Sequence, residues 1–137
     1  MVKEVKGTIF EQNVKAMVNL VSLSGTMKEG LPAEFKAKYK IMFNQYERDC
    51  QKKYITPDDV RMHKVRGTPG KVINLAVMDK EGEDFNHDYF KRGLTSLVKM
   101  LEERSVESIA IPFVDGCIED IGNAFKESSV EVIIVKA

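Results

Sequence analysis

The chain has 137 residues, 43% hydrophobic and 31% charged, and its 21 basic and 21 acidic side chains cancel. That is one domain's length, with enough apolar content to fill a single core, so residues 1–137 read as one unit. With no net charge there is no global field to draw in nucleic acid or membrane, and only a local basic patch could serve such partners.

Val2–Ile9 alternates apolar and polar residues, as a strand near a sheet edge does. Ala16–Val21 is almost continuously apolar, the pattern of a strand covered on both faces. Leu31, Phe35, Met42 and Tyr46 share one helical stripe, with Pro32 suited to the first turn. Val60–Val65 alternates again, and the Gly67-Thr68-Pro69-Gly70 turn joins it to a buried strand over Val72–Val77. Asn86 is placed to cap a helix whose stripe is Phe90, Leu94, Leu97, Val98 and Leu101. Ser108–Val114 is a third buried strand. Ile118, Ile121 and Phe125 mark a short helix with Glu119 and Asp120 at its N-terminus. Val130–Val135 closes the series. The order β β α β β α β α β predicts a sheet between two helix layers.

No apolar run has transmembrane length, and no signal-peptide h-region precedes the first strand. Cys50 and Cys117 lack CxxC spacing and read as reduced thiols of a cytoplasmic protein. His63 and His87 stand far apart without metal-ligand spacing, so neither a metal nor a cofactor is expected. The loop from Gly25 to Gly30 follows a strand and precedes a helix, a place where free N–H groups and the helix dipole favour phosphate. Leu31-Pro32 follows it where a nucleoside triphosphatase needs Lys-Ser/Thr, which excludes that class. Asn19, at a strand end, either satisfies neighbouring backbone or faces a ligand. Cys117 has no histidine nearby and reads as a buried thiol, while Asp115, Glu119 and Asp120 read as an acidic helix-capping turn.

Gly7-Thr8-Ile9-Phe10, Val18-Asn19-Leu20-Val21, Gly25-Thr26-Met27, Gly30-Leu31, Phe35-Lys36 and Tyr39 occur in an order that resembles the macro domain. So do Ile73-Asn74-Leu75, the helix from Asn86 to Glu103, and Ser108-Ile109-Ala110-Ile111-Pro112. The likeness extends over the whole chain and is greatest to the branch holding ADP-ribosyl-DNA hydrolase antitoxins and terminal ADP-ribose glycohydrolases. It implies a three-layer α/β/α sandwich with a mixed, mostly parallel sheet, and an ADP-ribose site. The implied ligand residues are Thr8, Ile9, Asn19, Ser22, Gly25, Met27, Lys28, Gly30, Leu31, Val114, Asp115, Gly116, Cys117 and Ile118. In this picture the loop Gly25–Leu31 borders a groove with Val114–Ile118 opposite, and Ile9 sits at the adenine end.

Several positions depart from the family's pattern. Thr8 stands where an aspartate usually holds the adenine amino group, and Ser22 replaces the second asparagine of Asn-x-x-Asn. Lys28 replaces a loop glycine, so its side chain either occludes the distal ribose or offers a cation to the diphosphate. Asp115, Gly116 and Cys117 fall on a Gly-Cys-Gly segment, and Met78 falls where the hydrolase branch has a catalytic lysine. Lys80 and Asp115 are the candidate catalytic replacements. The expected function is therefore binding of ADP-ribose or a related nucleotide with weak or lost hydrolysis. The alternatives are an active hydrolase of ADP-ribosyl substrates or ADP-ribose 1″-phosphate, and a scaffold that binds a protein partner. Strong general nucleic-acid binding and membrane binding are not expected.

Overall fold

A computed structural model describes residues 1–137. Its elements are β1 (Val2–Lys6), a 3-10 turn (Ile9–Glu11), β2 (Ala16–Ser22), α1 (Gly30–Lys38), α2 (Lys40–Gln51) and β3 (Arg61–Lys64). They continue as β4 (Lys71–Met78), α3 (His87–Glu103), β5 (Ser108–Pro112), α4 (Cys117–Ala124) and β6 (Glu131–Lys136). The six strands lie in the order β1-β6-β5-β2-β4-β3, all parallel to their neighbours except β3, which runs antiparallel to β4. β1 is one edge, held along its length by β6 in the register Val2↔Val132 to Lys6↔Lys136.

Strand residues alternate between two cores. Ala16, Val18, Leu75, Val77, Ile109, Ile111, Val132 and Ile134 face α3 and α4, which contribute Phe90, Leu94, Leu97, Leu101 and Ile121. Met17, Val21, Val72, Ala76, Ala110, Ile133 and Val135 face α1 and α2, which contribute Phe35, Met42, Phe43 and Tyr46. Because both faces are covered, the central strands carry the near-continuous apolar runs that parallel sheets require. The result is the three-layer α/β/α sandwich.

β2, β3, β4 and β6 agree with the sequence-based expectations to within a residue at each end, and four features differ further. β1 stops at Lys6 rather than Ile9: Gly7 takes φ +138°, and the Thr8 hydroxyl accepts from Phe10 N–H at 3.3 Å to start the 3-10 turn. The single stripe from Leu31 to Tyr46 is two helices, broken at Tyr39 (φ −131°, ψ 71°). The Tyr39 N–H closes α1 on Phe35 O at 2.8 Å, and its carbonyl receives Phe43 N–H at 3.1 Å. β5 ends at Pro112, releasing Phe113 and Val114 into a loop. On α4 the buried positions are Cys117 and Ile121, with Phe125 just beyond its end; Ile118 is 38% exposed. The Asn86 cap forms as expected, its side chain accepting from Tyr89 N–H at 3.0 Å.

The topology fixes where a ligand can enter. β2 and β5 are neighbours, yet β2 leads into α1 and α2 on one face while β5 leads into α4 on the other. Their loops part beyond the carboxyl ends of the strands, and a crevice opens there.

Candidate functional site

A cavity of about 390 Å³ occupies that crevice. Its floor is the strand ends Leu20–Ser22 of β2 and Val77–Met78 of β4. One wall is Thr26, Glu29, Gly30 and Pro32; another is Glu81 to Glu83 with Phe85; Val114 from the loop after β5 is the third. The structure thus brings the Gly25–Leu31 loop and the loop after β5 to one cavity, through Thr26, Gly30 and Val114. Gly30 opens α1 with φ +62°, a conformation in which glycine carries no Cβ penalty.

Beneath the floor, polar groups are tied down. The Tyr46 hydroxyl donates to Ser22 O at 2.6 Å and lies 3.3 Å from Ser22 Oγ, which in turn is 2.7 Å from Ser24 Oγ. Burial pushes the Tyr46 phenol well above its ordinary pKa, outweighing the Ser22 hydrogen bond, so it stays a donor. Asn19 is fully buried, its Nδ2 donating to Asn74 Oδ1 at 3.2 Å and lying 3.7 Å from Met27 Sδ. Asn19 Oδ1 has no hydrogen-bond partner. Asn19 and Asn74 are register partners on β2 and β4, so the contact ties the two strands whose ends form the floor.

The carboxylate of Glu81 organises the wall. It accepts from Thr26 Oγ1 at 2.6 Å, Lys28 N–H at 2.7 Å and Glu29 N–H at 2.9 Å. Glu29 is the N-cap residue of α1 and makes no side-chain cap of its own, so Glu81 supplies the anion at the positive end of that helix. Burial opposes the charge on Glu81, but the hydrogen bonds from Thr26, Glu29 and Lys28 outweigh it and hold the carboxyl below its usual range. Two of the N–H groups that this loop offers to a phosphate, those of Lys28 and Glu29, are in this way already engaged by the chain itself.

Beyond Glu81 lies a second, polar depression of about 300 Å³, lined by Ser24, Thr26, Lys28, Glu29, Lys80, Glu81 and Gly82. Lys28 and Lys80 both line it, and neither lines the cavity between the β2 and β5 loops. Lys80 is exposed, and its backbone N–H donates to Glu83 Oε1 at 2.9 Å. Met78 ends β4 on the cavity floor.

The other sequence-based candidates lie elsewhere. Gly25 (φ +82°) is buried, and a Cβ there would come within 3.2 Å of Cys50 Cβ. Met27 and Ile9 are buried in the core on the α1 and α2 side. Thr8 caps the 3-10 turn, and Leu31 is half-buried next to that same core. Asp115 and Gly116 are exposed; Gly116 (φ +80°) sits beside His87, whose Cε1 would be 3.4 Å from an added Cβ. Cys117 is buried, accepts from Val114 N–H at 3.4 Å, and has its thiol pKa raised by burial, which suits packing rather than nucleophilic attack.

Glu81, Phe85, Pro32 and Tyr46 are the site residues that sequence reasoning missed. The available signal was position: Asp79 to Asp84 follows a buried strand at the carboxyl edge and carries four acids.

The macro domain profile matches residues 18–125. A Mycobacterium tuberculosis protein named DNA ADP-ribosyl glycohydrolase is 28% identical over 109 residues, which cover 77% of this chain and 31% of that protein. The chain thus spans about a third of the length of the curated relatives it matches. The macrodomain of Thermus aquaticus DarG superposes with TM-score 0.91 at 25% identity, over 100% of this chain and 99% of that one. Thermosipho africanus DarTG, solved in complex with ADP-ribose, superposes with TM-score 0.88 at 15% identity, over 99% of this chain and 41% of that one, a likeness of fold.

Proposed function

The chain belongs to the macro domain family, and on that premise we propose that it binds ADP-ribose or a related nucleotide in the cavity between the β2 and β5 loops, with weak or lost hydrolysis of ADP-ribosyl substrates. The observation that carries this reading is the cavity itself. It lies at the carboxyl edge of the sheet, where neighbouring strands send their chains to opposite faces, and Ser22 on its floor meets Thr26, Gly30 and Val114 on its walls. Its strand-end floor of Leu20, Val21, Val77 and Met78 suits a sugar or base face. The relatives' DNA ADP-ribosyl glycohydrolase name and the ADP-ribose bound to the Thermosipho africanus protein give the ligand class.

The weakness of the chemistry follows from charge and reach. Glu29, Glu81 and Glu83 all line the cavity, which is poor company for a diphosphate. A thioether, Met78, holds the place on the floor where a reactive amine is needed, and it neither donates nor accepts a proton. Titration of the purified protein with ADP-ribose, followed by melting temperature, tests the binding. A ligand-dependent rise supports it, and no shift at millimolar ligand overturns it.

One observation favours a second reading, an active hydrolase. Lys80 lines the polar depression that shares Thr26, Glu29, Glu81 and Gly82 with the cavity. Displacement of Glu81 would join the two spaces and bring the amine toward a bound ribose. Turnover of ADP-ribosylated DNA that Lys80→Ala abolishes would establish this reading over the first.

A further inference from the structure

On the opposite edge of the sheet lies a groove of about 470 Å³, between the α1–α2 junction and the end of β3. Four cations line it: Lys38, Lys40, Lys64 and Arg66. No carboxylate does, and none of the four takes part in a salt bridge. Lys38 instead lies over the Phe10 ring, 4.9 Å from its centroid. Between the cations the groove is apolar, with Tyr39 and with Ile41, which is 69% exposed.

Contacts within the fold account for Lys38 but not for Lys40, Lys64 and Arg66, which have no acidic partner. The chain as a whole is neutral, so the patch is a local separation of charge. α2 begins here, at Lys40, with no side-chain cap and no acidic residue in its first turn. Lys38 closes α1, whose negative end favours it, but Lys40 stands at the positive end of α2, where an anion is stabilised and a cation is not. The groove is also remote from the cavity described above. Lys64 pairs with Lys71 at the start of β4, whereas Met78 at its other end forms the cavity floor, roughly 23 Å away along the strand.

We propose that this groove binds single-stranded nucleic acid, its phosphates on Lys38, Lys40, Lys64 and Arg66 and a base on the Tyr39–Ile41 surface. Charge complementarity selects a polyanion, and the apolar strip between the cations selects one whose units each present a flat apolar face. Nucleotide units do so, and acidic side chains do not. Phosphates and base faces are common to DNA and RNA, so strands of the same sequence bind alike. The inference does not depend on ADP-ribose occupying the other edge.

The experiment measures fluorescence anisotropy of a labelled, unmodified 12-nucleotide single strand, as DNA and as RNA, across a salt series. Binding should weaken with salt, and the charge reversal Lys64→Glu with Arg66→Glu should weaken it by at least about tenfold and flatten the salt slope. Ile41→Asp, at an exposed position outside the core, should weaken it too, and Tyr39→Ala should weaken it about 5- to 100-fold, as loss of a stacked base does, with the salt slope unchanged. The melting-temperature response to ADP-ribose should be the same in the charge-reversed and native proteins. Absence of binding, or binding that the charge reversal leaves intact, overturns the proposal. Equal competition by polyglutamate, with Ile41→Asp and Tyr39→Ala both silent, also overturns it and assigns the groove to acidic peptide.

Discussion

At Glu81 one side chain satisfies three donors from a loop 52 to 55 positions away in sequence. Removing it frees the Lys28 and Glu29 N–H groups to water, so Glu81→Ala should lower stability by about 1–2 kcal/mol, the range for hydrogen bonds to a partly exposed charge. The folded carboxyl lies below its ordinary value of 4.5, so this contribution is complete above that pH and is lost as pH falls through the folded value. Urea melts at neutral pH and near pH 3 should therefore show the difference between native protein and variant shrinking on the acid side. Asn19 gives a contrasting case, because its neighbours have no access to water. Asn19→Ala deprives Asn74 Oδ1 of its donor in a buried site, and about 1–3 kcal/mol of destabilisation is expected from chemical denaturation.

Helix α3 owes its close approach to β4 to a glycine. An added Cβ at Gly93 would lie 2.8 Å from both Leu75 Cγ and Leu75 Cδ2. Gly93→Ala gains about 1 kcal/mol of helix propensity, but overpacking typically costs about 1–3 kcal/mol, so net destabilisation is expected. Leu75→Val introduced with Gly93→Ala removes part of the clash and should recover melting temperature relative to Gly93→Ala alone. β3 and α2 meet through His63, which is buried and whose Nδ1 lies 2.7 Å from Gln45 Oε1 while Nε2 has no partner. Burial lowers the His63 pKa from 6.5, only partly offset by Asp49. The unfolded chain therefore takes up this proton first, and stability falls as pH drops below 6.5 toward the folded value. Thermal melts from pH 7.5 to 5 should show that decline, and His63→Gln should reduce it.

Across the whole molecule, the sandwich was legible in the sequence because burial on both faces writes itself as unbroken apolar runs, as in Ala16–Val21 and Val72–Val77. The position of the cavity was legible for a related reason: loops beyond carboxyl strand ends are recognisable once the strand order is guessed. Its chemistry was less so. Glu81 reaches the Thr26–Glu29 loop only after β2 and β4 pair, and nothing local to residues 79–84 signals that meeting. On α4 the stripe of Ile121 and Phe125 and the buried Cys117 agree with the structure, and only Ile118 turns outward, because of two adjacent apolar residues packing decides which faces in. The break at Tyr39 escaped because an apolar stripe can pass through two helices that cover the same face.

β1 has a consequence of its own. It pairs with no strand but β6, and Met1 and Val130, 129 positions apart, are joined by a hydrogen bond. During synthesis β1 emerges before β6 and stays unpaired until β6 follows it. Its attachment runs through Gly7, at φ +138°, whose N–H donates to Lys136 O at 3.0 Å. Where many nascent chains lie close together, the β6 edge of one copy can accept the β1 of another with the same register, Val2 against Val132. When the exchange is reciprocal, both β1–β6 pairings are kept, so protein concentration governs how often it occurs.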